Sequence, residues 1–245
     1  MVASDKTRRI EETARAIQER WGITALRKLD AVPSPEDVSC ISTQYAALDR
    51  TLGIGGIPRG RITEIAGRPT SGMGTLALRI IASAQAGGDM GVYMDCVRTF
   101  DPEYAALCGV RLDRLLICRP KDHELGLNIA FDLIGSGGVG VLVFDLGAEA
   151  LRGVASNAIS RLLPVLAQSP CAFIFLSWAE RNTDADPGEG ISQHATLRLK
   201  IEKERWLHRR QDVRGYRARV TVLKNKLAPL GRSVEITISL QRGTP

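Results

Sequence analysis

Metal ligands are scarce in this sequence. Three histidines and five cysteines stand among 245 residues. His123, His194 and His208 lie far apart, without cysteine or carboxylate company at ligand spacing, so no metal site is expected. No C-x-x-C pair occurs, and the five scattered cysteines suggest neither zinc nor a disulfide framework. Several of Cys40, Cys96, Cys108, Cys118 and Cys171 sit in apolar runs, where a thiol acts as a small buried hydrophobe. The chain opens without an apolar signal core, and no run reaches the roughly 18 apolar residues of a membrane helix. The expectation is a cytoplasmic, reduced protein with no membrane partner. No Ser/His/Asp or Cys/His nucleophile pattern, internal repeat or low-complexity tract stands out.

What is present is an ordinary globular composition, 44% hydrophobic and 24% charged. The length suits one large domain with at most a small appendage. A net charge of +6 makes an acidic partner such as nucleic acid plausible without establishing it.

Residues 5–20 are charged and helix-prone, with Ser4 or Asp5 as a candidate cap. Ile10, Ala14, Ile17 and Trp21 form one narrow apolar stripe at helical spacing. That stripe needs cover, either from the main body or from another subunit. The stretch from Ala31, with Pro33 and Pro35, reads as a linker. The expected division is an arm over 1–33 and a core over 34–245.

In the core, apolar strand-like runs alternate with helical ones. Strands are expected at 61–66, from Gly91, from Leu115, at 139–145 and at 171–177. Helices are expected at 74–86, from Asp101 as cap with Pro102 in the first turn, at 122–135 and at 154–168. This alternation predicts an α/β fold: a mostly parallel sheet with helices on both faces. Its ligand site belongs at the carboxyl ends of the strands. Three later stretches, from Leu197, Arg217 and Val234, alternate apolar and charged residues and read as antiparallel strands added to one edge.

Between the first core strand and its helix lies Gly67-Arg68-Pro69-Thr70-Ser71-Gly72-Met73-Gly74-Thr75. This is the strand–loop–helix setting of a phosphate-binding loop, G-x-x-x-x-G-K-[ST]. The backbone cradle can survive through Gly67, Ser71 and Gly72. Met73 stands where the lysine belongs, and Gly74 where the magnesium-binding hydroxyl belongs. Thr75 is one residue late.

The motifs around this loop resemble those of bacterial RecA recombinases. The resemblance runs through Ile41-Ser-Thr, Leu48-Asp, Gly55-Gly-Ile-Pro-Arg-Gly-Arg-Ile-Thr-Glu-Ile-Ala-Gly, Tyr93-Met-Asp, Asp101-Pro-Glu-Tyr, Leu115-Leu-Ile-Cys-Arg-Pro and Val220-Thr-Val-Leu-Lys-Asn-Lys. It covers nearly the whole chain up to about residue 147 and implies a RecA-like nucleotide-binding core, without that family's C-terminal domain. It implies that the N-terminal helix can pack on a neighbouring subunit; a helix folded on its own core is the other reading. Asp145 takes the Walker B place, as a magnesium-orienting or a structural residue. The family's catalytic glutamate corresponds to Val97, which cannot act as a base. The γ-phosphate-sensing pair corresponds to Ser177-Trp178, with Trp178 capping the site or buried in the core. Lys224 and Lys226 match lysines that reach a neighbour's nucleotide; solvent is the alternative.

The resemblance further implies a role in DNA repair, recombination or the damage (SOS) response, close to the nucleoid. Its partners would be a RecA-type recombinase, subunits of an error-prone translesion polymerase, or single-stranded DNA. The degenerate loop suits the ImuA-like accessory group, with a divergent RecA paralogue equally open. No cofactor is certain; weak ATP or ADP binding is the expected limit. A weak ATP-dependent recombinase with an atypical site is the enzyme alternative.

The family's two DNA loops correspond to Ala148–Ala155, shortened here, and to Glu180–Gly190, where four carboxylates face one arginine and disfavour a phosphate backbone. Positive charge gathers instead at Arg198, Lys200, Arg205, Arg209, Arg210 and Arg217, interleaved with Trp206 and Tyr216. That surface fits nucleic acid, an acidic protein, or nothing more than solvent.

Overall fold

The computed structural model describes residues 2–22, 38–147, 156–178, 191–210, 212–229 and 233–239. The chain divides into two units, Met1–Ser34 and Pro35–Pro245. Among its described residues the first holds one helix, α1 (Val2–Trp21). It is already helical at Ser4 and Asp5, so neither residue is its cap. Ile10 and Trp21, at the two ends of the apolar stripe, are about 70% exposed.

The second unit opens with a small antiparallel pair, β1 (Cys40–Ile41) and β2 (Ile57–Pro58), which flanks α2 (Ala46–Leu52). Then follow β3 (Ile62–Gly67), α3 (Met73–Ala86), β4 (Met90–Asp95), α4 (Pro102–Leu107), a short 3-10 turn at Leu112–Arg114 and β5 (Leu115–Cys118). After these come α5 (His123–Gly135), β6 (Val139–Asp145), α6 (Ser156–Ala167), β7 (Ala172–Trp178) and the single turn α7 (Ile191–His194). Three long strands close the unit: β8 (Leu197–Arg209), β9 (Asp212–Asn225) and β10 (Ser233–Ser239).

Eight strands form one sheet in the order β10-β9-β8-β3-β7-β6-β4-β5. From β8 to β5 every neighbouring pair is parallel. Only the β8–β9 and β9–β10 pairs are antiparallel. The alternation from Leu197 suggested an antiparallel edge strand, and the structure corrects this: β8 first pairs parallel to β3 over Leu197–Ile201, where it is almost wholly buried. Alternation of charge cannot report strand direction, because the side-chain period of two is the same in both.

Burial explains why β6 and β7 read as continuous apolar runs. Every residue of β6 is buried, because helices cover both faces of the sheet. Ile65, Val143 and Leu176 face one core with α2 and α3; Phe144, Phe173 and Phe175 face the other with α5 and α6. The caps read from the sequence at α4 are present: the Asp101 carboxylate accepts the Glu103 and Tyr104 amides, and Pro102 occupies the first turn.

One carboxylate breaks the apolar rule. Glu64 in β3 is 2% exposed. Its Oε1 accepts Ser177 Oγ at 2.8 Å, and its Oε2 accepts Ser192 Oγ at 2.9 Å and Arg198 Nε at 2.7 Å. Arg198 is itself buried. It therefore leaves the set of exposed basic residues expected from the sequence: an arginine facing Glu64 inside a sheet is an internal counter-ion.

Removing one partner of a buried pair strands the other. Arg198→Met is expected to lower unfolding stability by about 3 kcal/mol, measured by urea denaturation. Adding Glu64→Gln should recover most of the loss. A single variant within about 1 kcal/mol of the native protein would refute the role given to this pair.

Candidate functional site

β3 delivers the chain to the loop 67–75 at the carboxyl edge of the parallel strands. Gly67 is required there: a Cβ would stand 2.6 Å from the Ile201 carbonyl oxygen of β8. Gly72, the residue before α3, has φ +111°, and a Cβ on it would collide with the Ile238 side chain. Thr70 adopts φ +63°, unusual for a β-branched residue. These turns keep the form of a backbone cradle at a helix N-terminus. Among the described residues, the buried Ser71 hydroxyl of this loop has no hydrogen-bond partner.

Met73 and Gly74 open α3. Met73 is buried, and open space surrounds the missing side chain of Gly74. Thr75 shares a 2.7 Å hydrogen bond with the Tyr104 hydroxyl of α4. Its oxygen therefore ties two helices together.

Above the loop is a cavity of about 610 Å³, within the size range of small-molecule sites, about 300–1,000 Å³. Thr70, Gly72, Met73, Gly74 and Thr75 form its floor. Its walls are rings: Tyr93, Phe100, Tyr104, Trp178, Trp206 and Tyr216. The charged residues among the described lining are Asp101 and Asp145, and neither lysine nor arginine is among them.

Asp145 ends β6 and is 8% exposed. Its Oδ2 accepts the Tyr93 hydroxyl at 2.8 Å. Burial pushes the Asp145 carboxyl above the usual range; the nearby Asp95 adds to this, while the Tyr93 hydroxyl and the Gly147 amide oppose it. Burial, and then the Asp145 charge, push the Tyr93 phenol up as well. Asp95 ends β4 and is fully buried. It accepts the Thr99 amide at 2.9 Å and Arg119 Nε at 3.0 Å, which holds the turn after β4. Val97 lies in that turn, against Gly147 just beyond β6.

Ser177 and Trp178 end β7 side by side and point to different tasks. Ser177 serves Glu64, and Trp178 lines the cavity while remaining partly buried against the core. The two readings of Trp178 thus describe one position.

The cavity's far wall comes from the β8–β9 ribbon. β8 leaves β3 at Ile201 and continues paired with β9 alone. A bulge between Lys203 and Arg205 shifts the register, so that Trp206 pairs with Tyr216 and turns to its face. The two rings meet edge-on with centroids 5.5 Å apart. Arg205 pairs with Arg217 on the other face. Trp206 and Tyr216 are therefore sorted to the face opposite Arg205 and Arg217, and the cation that meets the two rings is Lys203.

Of the basic set, Arg205, Arg209 and Arg210 are exposed. Lys200 lies 3.3 Å from Glu202, and Arg217 lies 3.0 Å from Glu235. Lys224 donates to the carbonyls of Ser192 and Gln193 at 2.8 and 3.2 Å, so its ammonium holds α7 rather than facing outward. Lys226 is exposed. The stretches 148–155 and 180–190, matched to DNA loops, lie outside the described residues.

Sequence reading missed Glu64, although a lone carboxylate inside Ile62–Gly67 is a visible signal. It also missed the gathering of rings over the loop, because no spacing links Tyr93, Phe100 and Tyr104 with Trp178 and Tyr216.

Comparison with known proteins adds an independent observation. The model of the RecA N-terminal domain matches residues 8–158. Protein RecA of Geobacter sulfurreducens is 34% identical over 99% of this chain and 79% of its own length. Protein RecA of Thermus thermophilus is 35% identical over 97% of this chain and 77% of its own length. Protein RecA of Aquifex pyrophilus is 34% identical, over 98% and 76%. With a glycine loop between the central strand and α3, a parallel sheet and relatives of this extent, the chain belongs to the RecA family.

Proposed function

We propose that this chain is a RecA-like DNA repair or recombination protein that acts as a binding or regulatory subunit, deficient in ATP hydrolysis. One observation carries the reading: the cavity over the loop has ring walls and carboxylates where a triphosphate needs cations. The loop's lysine contributes a full charge to the β- and γ-phosphates, and the next hydroxyl holds magnesium. Met73 and Gly74 supply neither, and the Thr75 hydroxyl is engaged by Tyr104. Val97 offers no base for an attacking water. The glycine cradle and Asp145 fit a residual, weak contact with ATP or ADP. They do not fit a tightly held triphosphate with its metal.

An accessory role follows from what is kept. The exposed ends of the stripe on α1, Ile10 and Trp21, suit packing against another subunit. Lys226, exposed beside the engaged Lys224, is the lysine available to a neighbour's phosphate. The candidate partners are a RecA-type recombinase, error-prone polymerase subunits in the ImuA-like manner, and single-stranded DNA. The division into an arm over 1–33 and a core over 34–245 belongs to the same proposal.

Two measurements test it. Calorimetric titration with ATP and magnesium should show weak or no binding, and phosphate release with single-stranded DNA should stay at background. The paired variant Met73→Lys/Gly74→Thr should raise ATP affinity at least tenfold, since a hydrogen bond to a charged group is worth about 1.5–3 kcal/mol. Turnover by the native protein that Asp145→Ala abolishes would establish the enzyme alternative, a weak recombinase with an atypical site.

For DNA, the exposed arginines of the ribbon are the candidates. Arg205→Glu/Arg209→Glu/Arg210→Glu should weaken single-stranded DNA binding at low salt. It should also flatten the salt dependence by roughly two units of slope, at about 0.7 per neutralised phosphate. An unchanged slope in fluorescence-anisotropy titrations would place DNA elsewhere or nowhere.

A further inference from the structure

The cavity over the loop has a chemistry of its own, beyond what it lacks. Its walls are six rings, and its buried charge is the Asp145 carboxylate. The neighbouring Asp95 is answered by Arg119. Asp145 receives only neutral donors, the Tyr93 hydroxyl and the Gly147 amide. Among the described residues no cation reaches it. A carboxylate removed from water and met only by neutral groups attracts a positive charge strongly, because little solvent screens it.

The rings favour the same sign. The face of an aromatic ring is electronegative and draws cations placed within about 6 Å of its centre. The cavity lip already shows this: Lys203 Nζ stands 4.2 Å from the Trp206 centroid and 5.7 Å from that of Tyr216. Farther in, Phe100 and Tyr93 lie 5.0 Å apart with tilted rings, and Tyr104 and Trp178 complete the walls. A hydrated divalent metal is poorly served here, since it requires a shell of oxygens. A phosphate would meet two carboxylates, with neither lysine nor arginine among the described lining.

We infer that this cavity binds a flat organic cation, an amidinium or guanidinium head on an apolar body, with the head on Asp145 and the body between the rings. A planar guanidinium stacks on rings, pairs with a carboxylate through two N–H groups and is weakly hydrated, which suits a nearly dry, ring-walled space better than a compact ammonium. The head could belong to a free small molecule or to an arginine side chain of another chain; both present the same chemistry. The inference rests on the proposed weakness of the loop for triphosphates and deepens it by naming what the site takes instead.

The test uses the full chain with Trp21→Phe, so that emission comes from Trp178 and Trp206, both in the cavity walls. Benzamidinium should produce a saturable fluorescence change. Benzamide, its uncharged counterpart, should bind at least tenfold more weakly. Asp145→Asn should lower benzamidinium affinity at least tenfold, with the Tyr93 hydrogen bond still possible. Trp206→Leu, at the half-exposed lip, should lower it severalfold and covers the case in which the Asp145 variant fails to fold. N-acetylarginine amide binding as tightly as benzamidinium would point to a side-chain source; clearly weaker binding would point to a free ligand. The inference is overturned if benzamidinium gives no saturable change, if benzamide binds equally well, or if both variants leave affinity unaltered. Should ATP with magnesium bind more tightly than benzamidinium, the reading of the loop itself fails. If neither binds, only the present inference does.

Discussion

Glu64 is a charge inside a sheet, and the elements around the loop are arranged to answer it. Ser177 comes from the end of β7, Ser192 from α7 and Arg198 from β8. The three donors thus tie both strands flanking β3 to its centre, three residues before the loop begins. Lys224 then fastens α7 by its carbonyls from the far side of β8. A buried carboxylate left without these partners would carry a heavy desolvation cost, so strands and helical turn are held as one set. The loop 67–75 starts from a strand paired on both edges and tied by a buried carboxylate to its neighbours.

A second constraint is close approach. At Gly67 the β8 backbone lies where a side chain would be, and at Gly72 the Ile238 side chain of β10 does. The loop is therefore shaped by the strands beside it as much as by its own turns. The same strands, carried past the sheet as a ribbon, bring Trp206 and Tyr216 over the loop. The bulge at Lys203–Arg205 decides that outcome, since without the extra residue Trp206 would lie opposite Gly215, on the face of Arg217 rather than that of Tyr216. One inserted residue separates an aromatic wall from a basic outer surface.

These two constraints give membership of the RecA family its local meaning. The fold places a helix N-terminus, a strand-ending aspartate and a ring-walled space at one edge of a parallel sheet, where α/β proteins hold ligands. On the function proposed above, the scaffold is kept and the ligand chemistry is changed. The charges that remain in the cavity are negative, and the positive ones are spent elsewhere: Arg198 on Glu64, Arg119 on Asp95 and Lys224 on α7.

The amino-acid sequence by itself determined the order of elements, the loop between β3 and α3 and the capping of α4, because each depends on residues a few positions apart. Apolar runs such as Val139–Asp145 announce a strand buried on both faces, and Asp101-Pro102 announces a helix start, through local sterics and hydrogen bonding. Only the tertiary structure decided that β8 runs parallel to β3, that Arg198 is internal and that the rings converge on the loop. Arg198 and Glu64 stand 134 positions apart, and Lys224 meets a carbonyl 32 positions away. A charged side chain has the same local signature whether water or a distant carboxylate will receive it, and only the assembled sheet supplies the partner.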